Sequence, residues 1–350
     1  MKVAWLSSRV LGTDLCATTQ INLANCLVEN GYDVTLYSPG KCDTNLFKHV
    51  SIIRSSRRGL QSYSVRRDLE KNLVEINQYD IVLIDWTVAT MTKKIVPPTI
   101  IIDRSPPADR GLLSRLQWHW WKKAWENAEY GTVVSSKHRS LVLDYATKLK
   151  CNVAIIPAGV DTNVFVPAIK NKVIHLVYHG RLNYNRGVMR LPTILTRANN
   201  IGLNLQLHIH GEGDCLGKLQ SLLIEGLEVT STLTQEELAV RLSSYDIGLL
   251  PMPNYNNWNI ASPLKRSEYL ASGLAVCGID HSGHQIANSG NWLQLFDQEN
   301  FVEKTVEWLS KLSSEKLENY QKQAREYAEK HLSWSHSAKE LEALIIESTN

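Results

Sequence analysis

Two arginines, a lysine and a glutamate stand where charged side chains can act together on one ligand. Arg181 and Arg186 lie five residues apart, between the apolar run Ile174–Tyr178 and a helical pattern near 187–200. On such a strand-to-helix loop both can reach one anion, and a guanidinium offers forked donors that suit phosphate oxygens. Lys265 and Glu268 fall one turn apart in the helical stretch 264–272, so their faces are close. The Glu268 carboxylate can accept two hydroxyl hydrogen bonds at once. Just ahead, the amides of Ser262–Leu264 form a helix amino terminus, which attracts anions. In the other half of the chain, Gly12 sits in the loop after the first strand pattern, where a glycine lets backbone approach a ligand closely. Asp103 follows a further buried run, Thr99–Ile102.

Alternating strand and helix patterns are what would position these residues. Lys2–Ser7, Val34–Tyr37, Ile81–Ile84, Thr99–Ile102, Thr132–Ser135 and Val153–Ile156 read as buried strands. A helix over Thr19–Asn30 closes on Gly31, a C-cap residue. The rhythm restarts with Ile174–Tyr178, Leu205–His210, Ile247–Leu250 and Ala275–Ile279, with helical segments between them. The stretch Pro157–Pro167 reads as the linker, and residues 301–347 as strongly helical. This predicts two α/β domains with parallel sheets, whose ligands bind beyond the carboxyl ends of the strands. A chain of 350 residues suits two domains.

Several function classes are disfavoured. The loop Ser8–Thr13 lacks the G-x-G-x-x-G of dinucleotide enzymes, and there is no G-x-x-x-x-G-K-[ST] phosphate loop. No apolar run approaches the roughly 18–20 residues needed to span a bilayer, and the start shows no signal-peptide pattern. Cys16, Cys26, Cys42, Cys151, Cys215 and Cys277 are scattered without a C-x-x-C pair, which suggests reduced thiols and no zinc site. A cytoplasmic protein is expected. The net charge of +3 divides unevenly: residues 1–168 hold 21 Lys and Arg against 15 Asp and Glu, and the remainder 17 against 20. The basic half can face an anionic partner, or its excess is an ordinary solvated surface.

Three segments carry a resemblance. They are Ile156-Pro157-Ala158-Gly159-Val160-Asp161 with Phe165 and Pro167; His179-Gly180-Arg181-Leu182-Asn183-Tyr184-Asn185-Arg186-Gly187; and Ser262-Pro263-Leu264-Lys265-Arg266-Ser267-Glu268-Tyr269-Leu270-Ala271-Ser272-Gly273. Smaller matches are His210-Gly211-Glu212-Gly213, Tyr245-Asp246 before Pro251, and Leu332-Ser333-Trp334. In this order they make residues 155–335 resemble the retaining glycosyltransferases of family 4, which have the GT-B fold. The amino-terminal half resembles the family mainly in its rhythm. The resemblance implies two Rossmann-like domains facing across a cleft: residues 1–165 on the acceptor side, 166–325 binding a nucleotide-sugar, and a C-terminal helix over 326–350 packing back towards the N-terminal domain.

The resemblance also implies roles. Arg181 and Arg186 contact the donor diphosphate, with Arg186 standing where the family has lysine. Glu268 holds the ribose. Beside these implied roles, the residues themselves let Gly12 approach the diphosphate or the acceptor, and put the amides of Ser262–Leu264 at an anion-attracting helix start. They let Lys265 reach the diphosphate or simply be solvated, so Gly12, Ser262, Leu264 and Lys265 are counted with the donor site. Asp103 touches the reacting sugar, making Arg181, Arg186 and Asp103 the catalytic set. Departure of the diphosphate is the main barrier, so fixed cations around it stabilise the transition state most. Retaining members of this fold react on one face of the sugar without an obvious protein nucleophile. No cofactor or metal is expected, because arginines can replace a metal's charge. Many members carry a second glutamate eight residues before position 268, against the donor sugar. Here Ile260 stands there, so Asn256, Asn257 or Asn259 takes over, or these asparagines simply form a turn.

For the acceptor, Arg54, Arg57, Arg58, Arg66 and Arg67 cluster in 54–67, and residues 115–125 read Arg-Leu-Gln-Trp-His-Trp-Trp-Lys-Lys-Ala-Trp. In a helix Trp118, Trp121 and Trp125 share one face. That face is either core or a membrane interface, where indoles sit at headgroup level and cations meet anionic lipid. The expected partners are a nucleotide-sugar donor, a lipid-linked or glycan acceptor and an anionic membrane surface, with peripheral attachment at the inner face of the membrane. No nucleic-acid motif accompanies the basic residues. Two other readings stay open. A sugar-nucleotide epimerase would need acid/base carboxylates and a histidine around the sugar. A non-catalytic GT-B partner subunit is allowed by Ile260 and Arg186, while Arg181 and Glu268 argue against it.

Overall fold

The apolar runs of the first 158 residues become seven strands. They are β1 (Lys2–Leu6), β2 (Asp33–Ser38), β3 (Lys48–Ser51), β4 (Ile81–Asp85), β5 (Thr99–Ile102), β6 (Tyr130–Val133) and β7 (Asn152–Ile155), in the order β3-β2-β1-β4-β5-β6-β7. All pairings are parallel. Strand β4 is buried at every position, as expected for a central strand covered on both faces. The helices are α1 (Ala17–Glu29), α2 (Gln61–Leu69), α3 (Leu73–Ile76), α4 (Leu112–Asn127) and α5 (Ser136–Tyr145), with a 3₁₀ segment over Trp86–Lys94.

A second parallel sheet follows, made of β8 (Ile174–His179), β9 (Leu205–His210), β10 (Leu227–Thr230), β11 (Ile247–Leu250), β12 (Ala275–Ile279) and β13 (Leu293–Phe296). Its order is β10-β9-β8-β11-β12-β13. Its helices are α6 (Arg190–Asn200), α7 (Leu216–Gln220), α8 (Gln235–Ser243), α9 (Asn256–Asn259), α10 (Leu264–Ala271), α11 (Phe301–Ser310) and α12 (Ser314–His331). Helix α8 starts on a capping box, in which Thr234 and Glu237 each satisfy the other's backbone N–H. A last helix, α13, spans Trp334–Thr349. This computed structural model describes residues 1–350 except 13, 15, 16, 43–45, 58, 108–110, 150, 151, 169–172 and 350, and leaves out the side chains of Thr92, Leu112, Leu113 and Asn257. Thr13, Cys16, Arg58, Cys151 and the Asn257 side chain, all singled out in the sequence, therefore lie outside the described residues.

The chain divides into two compact units, Met1–Ala158 with the segment from Trp334 onward, and Gly159–Ser333. The division falls before the 165/166 boundary read from the linker because Val160 and Phe165 are core residues of the second unit. Val160 also pairs with Ser333, and its amide donates to the Leu332 carbonyl at 2.8 Å. Helix α13 packs on α1 in the first unit, where Asn30 Nδ2 donates to Glu342 Oε1 at 2.8 Å.

In each sheet the strand order reverses once, between β1 and β4 and between β8 and β11. A doubly wound sheet opens a crevice at such a switch point, beyond the carboxyl ends of the two strands. The loops after β8 and β11 carry Gly180–Gly187 and Pro251–Met252, so the motif residues of the second unit arrive at that crevice.

Candidate active site

The loop after β8 is built on close backbone approach. Gly187 has φ +71°, and a Cβ there would lie 2.2 Å from the Pro251 carbonyl oxygen, so the turn that carries Arg186 closes directly onto the β11 loop. Arg186 is half-buried. Its guanidinium carbon lies 4.5 Å from the centroid of the Trp258 ring, and Nη1 is 3.8 Å from Met252 Sδ. Burial lowers its pKa, against the nearby Tyr178 hydroxyl and together with the charge of Arg181. Arg181 is exposed, and its carbonyl accepts the Tyr178 hydroxyl at 2.9 Å. One arginine is held against an indole and the other is exposed to solvent.

Helix α10 is keyed to the sheet through Tyr269. Its ring lies flat against Gly248 of β11, where an added Cβ would come within 2.2 Å of ring carbon, and its hydroxyl accepts the His179 amide at 3.2 Å. Losing so large a buried ring costs about 3–5 kcal/mol, so the helix register is well fixed. That register presents Glu268 and Lys265 to the end of β8. Glu268 Oε2 is 3.1 Å from His179 Nε2, out of line for a hydrogen bond, and has no hydrogen-bond partner among the described residues. Lys265 is buried with its Nζ 4.2 Å from the Tyr178 ring centroid. Ser262 and Leu264 are half-buried on either side of Pro263, the N-cap of α10. The second unit thus gathers Arg181, Arg186, Ser262, Leu264, Lys265 and Glu268 around one strand end. Among the described residues no group of three or more His, Cys, Asp or Glu could hold a metal ion.

Of Asn256, Asn257 and Asn259 near Ile260, Asn256 and Asn259 have described side chains. Asn259 Nδ2 donates to Asn254 Oδ1 at 2.7 Å, its carbonyl accepts from Ser282, and Asn256 is exposed. What α9 brings to the cations is Trp258. An indole inside a run of turn-forming residues was the signal for it, and the sequence reading passed over it. His179 ends an apolar strand next to Gly180, and nothing in its local sequence signals its approach to Glu268.

In the first unit Asp103 requires a correction. It was expected to touch the reacting sugar. Its carboxylate is instead fully buried and taken up by protein: Oδ2 accepts Trp121 Nε1 at 2.5 Å and Trp125 Nε1 at 3.0 Å, and Oδ1 accepts the Ser105 amide at 3.1 Å. His138 Nε2 lies 3.3 Å from Oδ2. Burial alone would raise the pKa of Asp103, but His138 and the two indoles outweigh it and hold the acid below the usual carboxylate range. Both carboxylate oxygens already accept from protein groups, and the residue has no exposed surface. The tryptophan face changes meaning with it: Trp121 and Trp125 are core, Trp118 is half-buried against Tyr145, and the exposed indole of α4 is Trp120, at 48%.

At the switch point of this sheet a different carboxylate stands out. Asp85, at the end of β4, accepts the Ser7 hydroxyl at 2.6 Å and the Ser8 amide at 3.3 Å. Burial raises its pKa to about 6, against the pull of Arg9. Gly12 has φ +82° in the loop after β1, and the preceding Leu11 bridges to Gly40.

Residues 17–164 match the sequence model described as Glycosyltransferase Family 4. The matched stretch is less than half of the chain. The match falls mainly on the first unit, whereas the motifs of the sequence reading lie in the second, so the two identifications are carried by different residues. No curated protein matches this chain. Among solved structures it is similar to sucrose-phosphate synthase from Thermosynechococcus elongatus, with a TM-score of 0.80 at 14% identity over 99% of this chain and 98% of that one. It is also similar to WaaG, a glycosyltransferase involved in lipopolysaccharide biosynthesis, with a TM-score of 0.70 at 16% identity over 98% and 99%. A third is Anabaena HepE in complex with UDP-glucose, with a TM-score of 0.71 at 11% identity over 99% and 100%. At these identities the likeness establishes the GT-B fold. Family and fold together make the chain a glycosyltransferase.

Proposed function

We propose that this glycosyltransferase moves a sugar from a nucleotide-sugar donor to a lipid-linked or polysaccharide acceptor, with retention of configuration. The observation that carries the reading is the meeting of Arg181, Arg186, Lys265 and Glu268 at the end of β8. Three cationic side chains suit a diphosphate, and a carboxylate oxygen without a hydrogen bond suits a ribose hydroxyl. As the bond from sugar to diphosphate breaks, negative charge grows on the leaving phosphate. Arg186, already held by Trp258, stabilises that charge without having to reorganise, and Arg181 closes from the solvent side. The acceptor hydroxyl loses its proton to an oxygen of the departing phosphate, so no protein base is assigned. Ile260 offers no hydrogen bond, so the donor sugar is held by other groups.

The acceptor reading draws on the basic first unit. Tyr63, Arg67 and Lys94 line one shallow depression beside the 3₁₀ segment, and Lys93, Trp120 and Lys123 line another, with Thr90 common to both. Arg66 ties the two by donating to Thr90 Oγ1 at 2.5 Å. Exposed aromatics among cations suit an anionic membrane interface. Among the described residues no helix is long and apolar enough to cross a membrane, so attachment would be peripheral. The deciding experiment is donor hydrolysis with UDP-, GDP- and ADP-sugars, with and without membrane extract. UDP-glucose comes first because HepE is described in complex with it. Turnover of one donor, raised by the extract, supports the reading, and no turnover of any donor under either condition overturns it.

A further inference from the structure

The first turn of α10 holds a buried amine with no hydrogen-bond partner among the described residues. Lys265 is 8% exposed, and its Nζ makes no hydrogen bond among the described residues. The amine lies on the Tyr178 ring and directly under the glycine loop: a Cβ at Gly180, where φ is +114°, would sit 3.2 Å from Nζ. The space beneath Gly180 is therefore filled by this amine, and it faces the strand end that carries both arginines.

The groups around it set its charge. From β8 and its loop come Tyr178, which burial keeps protonated and neutral, and Arg186, a like charge. From its own helix comes Glu268, whose Oε2 is already beside His179. From the turn after β12 comes the buried His284, which donates Nδ1 to the Ile279 carbonyl at 2.7 Å. Burial and then Arg186 lower the pKa of Lys265 to about 7, with Glu268 pulling the other way. A buried ammonium without a hydrogen bond is costly, so the amine sheds its proton instead. A diphosphate brought against it reverses the balance, because an opposite charge within about 4–6 Å favours the protonated form.

Resting on the donor-site reading above, we propose that Lys265 takes a proton from solvent as the diphosphate of the sugar nucleotide enters, so that donor binding is linked to proton uptake above neutral pH. The neutral amine becomes an ammonium, solvent supplies the proton, and no other bond forms or breaks. Donor affinity then falls as pH rises past the point where the free amine is neutral, by up to about tenfold per pH unit.

Isothermal titration calorimetry of the full chain tests this. UDP-glucose, GDP-mannose and ADP-glucose are suitable probes because their phosphates are diesters that do not titrate near neutral pH. Each is titrated at about pH 8 in HEPES and in Tris, whose ionisation enthalpies differ, so that the change in observed heat counts the protons. The expected result is an uptake of about one proton, declining towards zero near pH 6. Lys265→Arg, which stays charged, should bind without uptake, and Lys265→Met should lose uptake and bind about tenfold or more weakly. Heat that is independent of buffer for a donor that binds overturns the proton linkage and leaves the donor site standing. Uptake that persists in Lys265→Arg assigns the proton to another group and also overturns it. Failure of all three nucleotides to bind overturns the donor-site reading, and this inference with it.

Discussion

The guanidinium of Arg186 is stacked on the indole of Trp258, with 4.5 Å between the guanidinium carbon and the ring centroid. The two residues come from different loops, so the short helix α9 holds the arginine in place before any ligand arrives. A cation over an indole face is worth about 0.5–2 kcal/mol. Trp258→Leu should therefore lower kcat/KM for the donor by about 2- to 30-fold, with little change in Tm. Arg186→Lys keeps the charge, loses the planar stack and should do no better. Steady-state kinetics on the purified variants decide the matter. A Trp258→Leu enzyme as efficient as wild type would show that the stack does not matter.

Glu268→Ala and Arg181→Ala should each remove most activity from a protein that remains folded. Losing one ribose or phosphate contact should cost about 2–4 kcal/mol of transition-state stabilisation, or roughly 30- to 1000-fold in kcat/KM. Far-UV circular dichroism confirms folding and donor turnover reads the loss. Near-normal turnover in either variant would remove that residue from the site.

Asp103→Asn should weaken the fold. Asp103 Oδ2 receives two indole N–H groups beside His138, so removing the charge leaves a buried cluster poorly matched, at about 2–4 kcal/mol. The sign with pH follows from the direction of its shift. The folded-state pKa is depressed, so the stabilisation is present above the ordinary carboxylate range and is lost as pH falls through the folded value. Below about pH 4 the wild-type Tm should therefore converge on that of the variant. Thermal melts from pH 7 down to about pH 3 test this, and equal Tm values at neutral pH would contradict it.

Binding to anionic vesicles should depend on the surface around Trp120 and not on the buried indoles. Each basic residue near such a membrane is worth about 1 kcal/mol. Replacing Arg67, Lys93 and Lys123 by serine should lower co-sedimentation with anionic liposomes strongly, and Trp120→Ala should lower it further. Raising salt from about 0.1 M to 1 M should release the wild-type protein as the Debye length shrinks from about 10 Å to 3 Å. A protein that ignores anionic vesicles at low salt would point to a soluble acceptor.

The product should keep the anomeric configuration of the donor, and activity should survive excess EDTA. The first expectation rests on the resemblance to retaining family members, the second on arginines and Lys265 supplying the charge that a metal otherwise brings. NMR of the new linkage and a chelator titration are the measurements. An inverted product, or activity lost to EDTA and restored by Mg²⁺, would contradict them.

The parallel cores were legible because most central strands are near-continuous apolar runs, and Leu205–His210 alternates apolar with polar residues instead. Thr99–Ile102, Leu205–His210, Ile247–Leu250 and Ala275–Ile279 have the same limits in the sequence reading and in the structure. What escaped was at the edges: β3, β10 and β13 are short edge strands with mixed composition, such as Lys-His-Val-Ser in β3. An edge strand needs apolar contact on fewer sides, so its periodicity fades. In the site, the charged residues of the second unit were visible as motifs. The Trp258 stack and the His179 contact were not, because both join residues distant in sequence. Asp103 misled for the opposite reason. A carboxylate at a strand end looks alike whether it faces a ligand or two indole N–H groups one turn apart on a distant helix.

The last helix has a consequence for how the protein is made. Helix α13 covers part of α1 and β5 in the first unit, yet it is synthesised only after the whole of Gly159–Ser333. At about 5–20 residues per second, that interval lasts roughly 10–35 s. Throughout it, the nascent first unit presents an uncovered seam at which Leu341, Leu344 and Ile345 will later be buried. The second unit is a continuous stretch and can close while still tethered to the ribosome. The first completes its cover only once α13 has emerged, and until then its seam stays open.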